Sequence, residues 1–268
     1  MIFHITKVST YAMQILQNST TGSVHSVYRN TVNIIVNDHL LALQTLGSPF
    51  SPISLITDLD ASEFITSDVH EGQIVAFDYT DATVVDLAPT MKIPHKIRHE
   101  LYKKFSRIIQ ASDTNGFDLI FQMSPSVNQD LVLSVAETKI HMANTLFHKE
   151  QYLEASHVIS ELVGLGIGLT PSGDDFLCGI LAGFHIQGLE DSRKVECLRE
   201  AIRERLSRTN EISRAFLESA LSGHFSQAVN ALWNNPDEEE IAKMFNSIGH
   251  SSGMDTLCGI YYLFFLME

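Results

Sequence analysis

Ser172-Gly173-Asp174-Asp175-Phe176-Leu177-Cys178-Gly179-Ile180 recurs eighty residues later as Ser252-Gly253-Met254-Asp255-Thr256-Leu257-Cys258-Gly259-Ile260, identical at seven of nine positions. Each copy follows a glycine-bearing approach, Gly164-Leu165-Gly166-Ile167-Gly168-Leu169-Thr170-Pro171 in the first and Gly249-His250-Ser251 in the second, and each runs on into apolar residues. A hydroxyl, a glycine and an acid at the head of an apolar helix admit two kinds of chemistry. In the first, Ser172 and Ser252 cap their helices while Asp175 and Asp255, three residues on, reach back to the cap amide. In the second, the backbone around Gly168, Thr170, Ser172 and Gly173, and around Ser251, Ser252 and Gly253, turns uncapped amides toward an anion that the helix dipole favours. Asp174 has no acid opposite it, since Met254 stands there, so Asp174 is the candidate for chemistry and Asp175 and Asp255 are the candidates for capping. Gly179 and Gly259 permit a close crossing, by which two related helices would aim their ends at one pocket. A pseudosymmetric core contact would account for the same repeat. Cys178 and Cys258, a turn inside, read as small buried apolar residues rather than nucleophiles.

Those helices need a frame. The first ninety residues read as β: Val32–Val36, Leu40–Gln44, Ile74–Asp78 and Val84–Leu87 are aliphatic runs punctuated by Asn37-Asp38, Gly47-Ser48-Pro49 and Glu71-Gly72. Short strands at such spacing predict a small barrel or sandwich. From about Ile97 the period becomes helical, with Leu101, Phe105, Ile108 and Ile109 on one face and another helical stretch over Val135–Val163. Phe117–Leu133 is ambiguous and allows one strand, and the chain beyond Leu189 reads as helices broken at Ser207–Asn210, Ser222–His224 and Asn234–Asp237. The fold class is therefore α+β: a β-rich N-terminal domain over residues 1–95, and a mainly helical domain over 96–268 that carries both copies of the motif. No linker separates the two, so they are expected to pack together.

Charge excludes several functions. The chain has 268 residues, with 18 basic against 32 acidic and a formal net charge of −14. Nucleic-acid binding needs a basic surface to displace counterions, and polybasic membrane attachment needs the same, so neither is expected. Met1–Gln14 lacks the pattern of a signal peptide, and no apolar run approaches the roughly 20 residues that span a bilayer. Three cysteines without CxxC spacing indicate neither a disulfide framework nor a zinc site, and the twelve histidines form no HExxH-like pattern, so no metal is expected. A reducing, cytoplasmic setting follows as the expectation.

The two motifs resemble the signatures of a bacterial family of the AllH type, whose best-known member is a subunit of the oxamate carbamoyltransferase of anaerobic allantoin breakdown. Gly22-Ser23-Val24-His25-Ser26-Val27-Tyr28-Arg29 is similar to the family's N-terminal strand, and Arg208-Thr209-Asn210-Glu211-Ile212-Ser213, with Phe216, Leu217 and Gly223, to its mid-helical segment. The resemblance implies reversible conversion of oxalurate and phosphate into oxamate and carbamoyl phosphate. No cofactor is expected. The resemblance also implies FdrA-like and other carbamoyltransferase subunits as partners, so that the chain acts within a complex. The familiar serine-threonine-arginine-threonine loop of aspartate and ornithine carbamoyltransferases is absent, so catalysis would use another scaffold.

Carbamoyl transfer needs an anion cradle, a donor for the developing oxyanion and a group that handles the proton on the amide nitrogen. Within the resembling segments Asp174, His25 and Arg29 are the catalytic candidates, and Arg208, Thr209, Asn210 and His250 join the two helix starts as candidates for substrate and anion binding. Plainer roles stand beside these. His25 sits in a strand and can face solvent or a core partner, Arg29 suits a surface ion pair, and Thr209-Asn210 suits an N-cap. Met254 and Phe176 suit the core, and Asp237-Glu238-Glu239-Glu240 suits a solvated helix start. The alternative for the whole chain is a non-catalytic scaffold or regulatory subunit that binds an anionic metabolite.

Overall fold

The computed structural model describes residues 2–65, 68–89, 92–122 and 130–267. The chain falls into two compact units, one comprising Met1–Ala88 with His224–Gln227, the other Pro89–Gly223 with Ala228–Glu268.

In the first unit, the described residues form β1 (Ile2–Ser9), α1 (Thr10–Leu16), β2 (Thr21–Val27), β3 (Thr31–Val36), β4 (His39–Gln44), β5 (Ser54–Thr57), α2 (Ala61–Ile65), β6 (Ile74–Asp78) and β7 (Thr83–Val85). The sheet runs β5-β4-β3-β2-β6-β1, and β5 also pairs with β1, which closes six strands into a barrel. A register shift between Ile5 and Lys7 bends β1, whose far edge takes β6 at Ile2–His4 and then β7 at Lys7–Ser9. Phe3, Ile5, Ile34, Leu41, Leu43, Leu55 and Phe77 are buried in this unit. The Asn37-Asp38 turn between β3 and β4 has positive φ at both residues, 50° and 64°, the hairpin geometry that Asn and Asp tolerate. Phe225 and Gln227 return late in the chain to donate their amides to the carbonyls of Leu87 and Phe50. Helix α1, for which the sequence reading has no counterpart, is capped by Ser9, whose hydroxyl accepts the Ala12 amide at 2.9 Å.

The second unit is helical: α3 (His95–Gln110), α4 (Asp118–Phe121), α5 (Leu131–His148), α6 (Tyr152–Ile159), α7 (Ser172–Gln187), α8 (Arg193–Arg203), α9 (Glu211–Leu221), α10 (Gln227–Ala231), α11 (Glu238–Asn246) and α12 (Ser252–Met267). The α+β expectation holds. The strand allowed within Phe117–Leu133 does not form among its described residues: 118–121 and 131–133 are helical, and 123–129 lie outside the described residues. The four predicted apolar residues of α3 are buried. Asp237 starts α11 with a capping box: its carboxylate accepts the Glu240 amide at 2.9 Å, and the Glu240 carboxylate accepts the Asp237 amide at 3.1 Å. Among the described residues no helix is long and apolar enough to cross a membrane.

The centre of this unit is the pair α7 and α12, the two copies of the motif. A Cβ on Gly179 would stand 2.0 Å from the Thr256 carbonyl, and one on Gly259 would stand 2.0 Å from the Phe176 carbonyl. Residues 176 and 256 are equivalent in the repeat, so the contact is reciprocal, and the pseudo-twofold pairing expected from the sequence is present. Backbone meets backbone at the crossing, which only glycine permits.

Candidate functional site at the paired helix starts

The caps differ from the sequence reading. Pro171 is the N-cap of α7 and no side chain caps the helix, so Ser172 is its first residue and not its cap. The fixed φ of Pro171, −55°, presets the turn into the helix. The glycine amides are not turned outward to an anion. Gly173 donates to the Leu165 carbonyl at 2.9 Å and Gly253 to the Ile248 carbonyl at 3.1 Å, while Asp174 and Asp175 donate to Pro171 and Asp255 donates to Ser251. The glycine-to-carbonyl span is eight residues in the first copy and five in the second, so the repeat extends upstream and the first approach carries three extra residues.

Asp174 ties that longer approach down. Its Oδ1 accepts the Gly164 amide at 2.8 Å, and its Oδ2 accepts the hydroxyls of Thr209 at 2.5 Å and Ser213 at 2.6 Å. Burial raises the Asp174 carboxyl above its ordinary value, and these three donors oppose the rise. Gly164 has φ +77°, and a Cβ there would lie 2.4 Å from the Arg208 carbonyl, so the loop leaves its anchor where no other residue fits. Asn210 is the N-cap of α9, accepting the Ser213 amide at 3.0 Å.

Asp175 and Asp255 form the electrostatic core of the site. Asp255 is wholly buried and Asp175 nearly so. Each carboxyl is faced by the first serine of the opposite helix: Ser252, with Thr170, lies against Asp175, and Ser172, with Ser251, lies against Asp255. The Thr170 and Ser252 hydroxyls bond to each other at 2.7 Å across the two motifs. Asp255 Oδ1 accepts the Phe117 amide at 2.6 Å, whereas the Oδ2 atoms of both carboxyls are buried without a hydrogen-bond partner among the described residues. Burial pushes the Asp255 carboxyl up to about 6 against those donors, and the neighbouring Asp118 adds to the rise. Burial, and then Asp255 itself, pushes Asp175 well above the usual carboxylate range. At least one of the two therefore holds a proton readily near neutral pH. The Cys178 and Cys258 thiols are driven up by burial and these same acids, in keeping with an inert role.

The remaining candidates fall in several places. His250 is exposed and lines a cleft of about 610 Å³ together with Arg107, Asp113, Asn246 and Met254, beside the start of α12. Gly168 and Arg208 are exposed. His25, with Nδ1 3.0 Å from the Ser26 hydroxyl, and the exposed Arg29 belong to the barrel unit. Ser213 and the Phe117 amide were missed as parts of this site. The signal for the second was the Asn115-Gly116 turn dipeptide; a side chain on Gly116 would collide with Asp255 Oδ1.

A β-barrel unit and a helical unit organised by a duplicated glycine-serine-aspartate helix start define this class of protein. The chain matches the family model for the AllH family N-terminal domain over residues 4–98 and that for oxamate carbamoyltransferase subunit AllH over residues 162–264, and it belongs to the AllH family. No solved structure matches it.

Proposed function

We propose that this chain takes part, as one subunit of a larger cytoplasmic enzyme with FdrA-like and other subunits, in the reversible phosphorolysis of oxalurate during anaerobic allantoin breakdown. A phosphate oxygen attacks the carbamoyl carbon of oxalurate, the bond from that carbon to the inner amide nitrogen breaks, and the nitrogen takes a proton to leave as oxamate. The other product is carbamoyl phosphate. The observation that carries this reading is the Asp175–Asp255 pair at the paired helix starts. A buried carboxyl that keeps its proton near neutrality is suited to protonate a leaving amide nitrogen and to take the proton back in the reverse direction. Asp175 is assigned that proton, and the charge of the neighbouring Asp255 keeps it there. The hydroxyls of Thr170, Ser172, Ser251 and Ser252 orient the pair. Asp174, Thr209 and Ser213 position the loop over it.

The full engagement of Asp174 favours a second reading, in which this subunit is a framework for partners. Ligand protection of the assembled enzyme separates the two. A ligand that binds only the folded state stabilises it by about 2.7 kcal/mol at a hundredfold excess over Kd. Oxalurate and carbamoyl phosphate are expected to raise the melting temperature of the wild-type complex, and to raise it less once Asp175→Asn is introduced. Equal protection of the wild-type and Asp175→Asn complexes would place the substrate on another subunit.

A further inference from the structure

The loop between Gly164 and Thr170 is held at both ends, by Gly164 to Asp174, by Leu165 in both directions to Leu162 and Gly173, and by Thr170 to Ser252. Yet it lifts two aliphatic side chains into water: Ile167 is 89% exposed and Leu169 is 48% exposed. The second copy of the motif, with its approach three residues shorter, has no counterpart to this tip. Aliphatic surface on a tethered loop is already ordered for association, so less conformational entropy is lost when a partner covers it.

The chemistry of the site says what that partner carries. Oxalurate, phosphate and carbamoyl phosphate are anions, whereas the site here presents buried acids. The strongest influences on Asp175 and Asp255 are burial, hydroxyls, one amide and other carboxylates, with no guanidinium or ammonium among them. The glycine amides at both helix starts are occupied. A chain of net charge −14 offers little attraction to a trianionic reactant pair and would repel a second copy of itself, but it complements a basic face.

Resting on the reading of the site given above, we infer that a different subunit of the same enzyme docks on the loop 164–170, seats Ile167 and Leu169 in an apolar socket, and brings a cationic, phosphate-holding surface over the carboxyl pair. This chain supplies the proton-handling half of the site, and the partner supplies the anion-handling half. Neither half completes the reaction alone.

The test uses the chain and the other subunits purified from the native complex and recombined. Ile167→Asp and Leu169→Ser are expected to leave the melting temperature of the isolated chain unchanged and to weaken its assembly about tenfold or more, the order of loss seen at interface hot spots. Ile167→Ser serves should the charged variant lower the melting temperature. The isolated wild-type chain is also expected to bind inorganic phosphate at least tenfold more weakly than the complex does. Assembly of the variants with wild-type affinity would overturn the inference. So would phosphate binding by the isolated chain as tight as that of the complex, or dimerisation of the chain through Ile167. Assembly and phosphate binding are read without carbamoyl transfer, so failure here and failure of the proposed reaction are told apart.

Discussion

Asp255→Asn makes the chain more stable at pH 8 and no more stable at pH 4. A carboxyl whose pKa rises from 3.8 to about 6 on folding favours the folded state only while it is protonated in both states. As pH climbs from about 4 to about 6 the unfolded chain releases that proton first, and the folded state is left holding it or carrying an unfavourable buried charge. About two pKa units correspond to about 3 kcal/mol of stability lost across that window. Asparagine keeps an acceptor for the Phe117 amide and carries no charge. The variant is therefore expected to gain up to about 3 kcal/mol over wild type above pH 7, with the gap closing below pH 4, as read by urea denaturation at each pH. A gain in stability at a residue that the reaction needs is the trade-off expected of an active-site acid. A loss of stability at pH 8 would mean that the carboxylate is a structural strut.

Gly259→Ala destabilises the helical unit by at least about 3 kcal/mol, at or beyond the upper end of ordinary overpacking, because the new methyl would sit 2.0 Å from the Phe176 carbonyl and 2.9 Å from the Cα of Gly179. Neither neighbour is a side chain that can rotate aside, so the helices must separate. Gly183→Ala, one turn further along α7, is the internal comparison. Its methyl meets Leu263 Cδ2 at 2.9 Å, which can rotate aside, and Leu263 Cβ at 3.0 Å, which must give by a few tenths of an ångström, while the helix gains up to about 1 kcal/mol of intrinsic propensity, so the loss is expected to be well below that of Gly259→Ala. Denaturation that finds Gly259→Ala within 1 kcal/mol of wild type would show that the two helix starts are not held by this crossing.

Local features of this fold are written in the chain, and closures over distance are not. The Asn37-Asp38 turn, the apolar face of α3 and the acidic start of α11 depend on residues within a few positions of one another, so spacing alone reveals them. The duplicated motif exposed the α7–α12 pair because both partners repeat the same glycine. The pairing of β1 with β5 joins residues about fifty positions apart, and no periodicity encodes it. At the site, Pro171 displaced Ser172 from the cap, and the sequence reading mistook the first helical residue for the cap that precedes it. Asp175 and Asp255 each face the first serine of the opposite helix as well as a hydroxyl of their own approach. The partners of Asp174, Thr209 and Ser213, lie 35 and 39 residues away and look like helix-start residues in isolation. Its lack of an equivalent in the second copy follows from the longer approach loop that it tethers, a feature seen only once the two approaches are laid side by side.

The most direct test of the central claim is the rate at which the assembled enzyme releases carbamoyl phosphate from oxalurate and phosphate when it carries Asp175→Asn, with the melting temperature and subunit content of the complex measured on the same sample. With the proton donor gone and the fold intact, the rate is predicted to fall by about a hundredfold to ten-thousandfold, the range set by general acid–base catalysis. An intact complex turning over at the wild-type rate would contradict the assignment and leave the paired helix starts as framework alone.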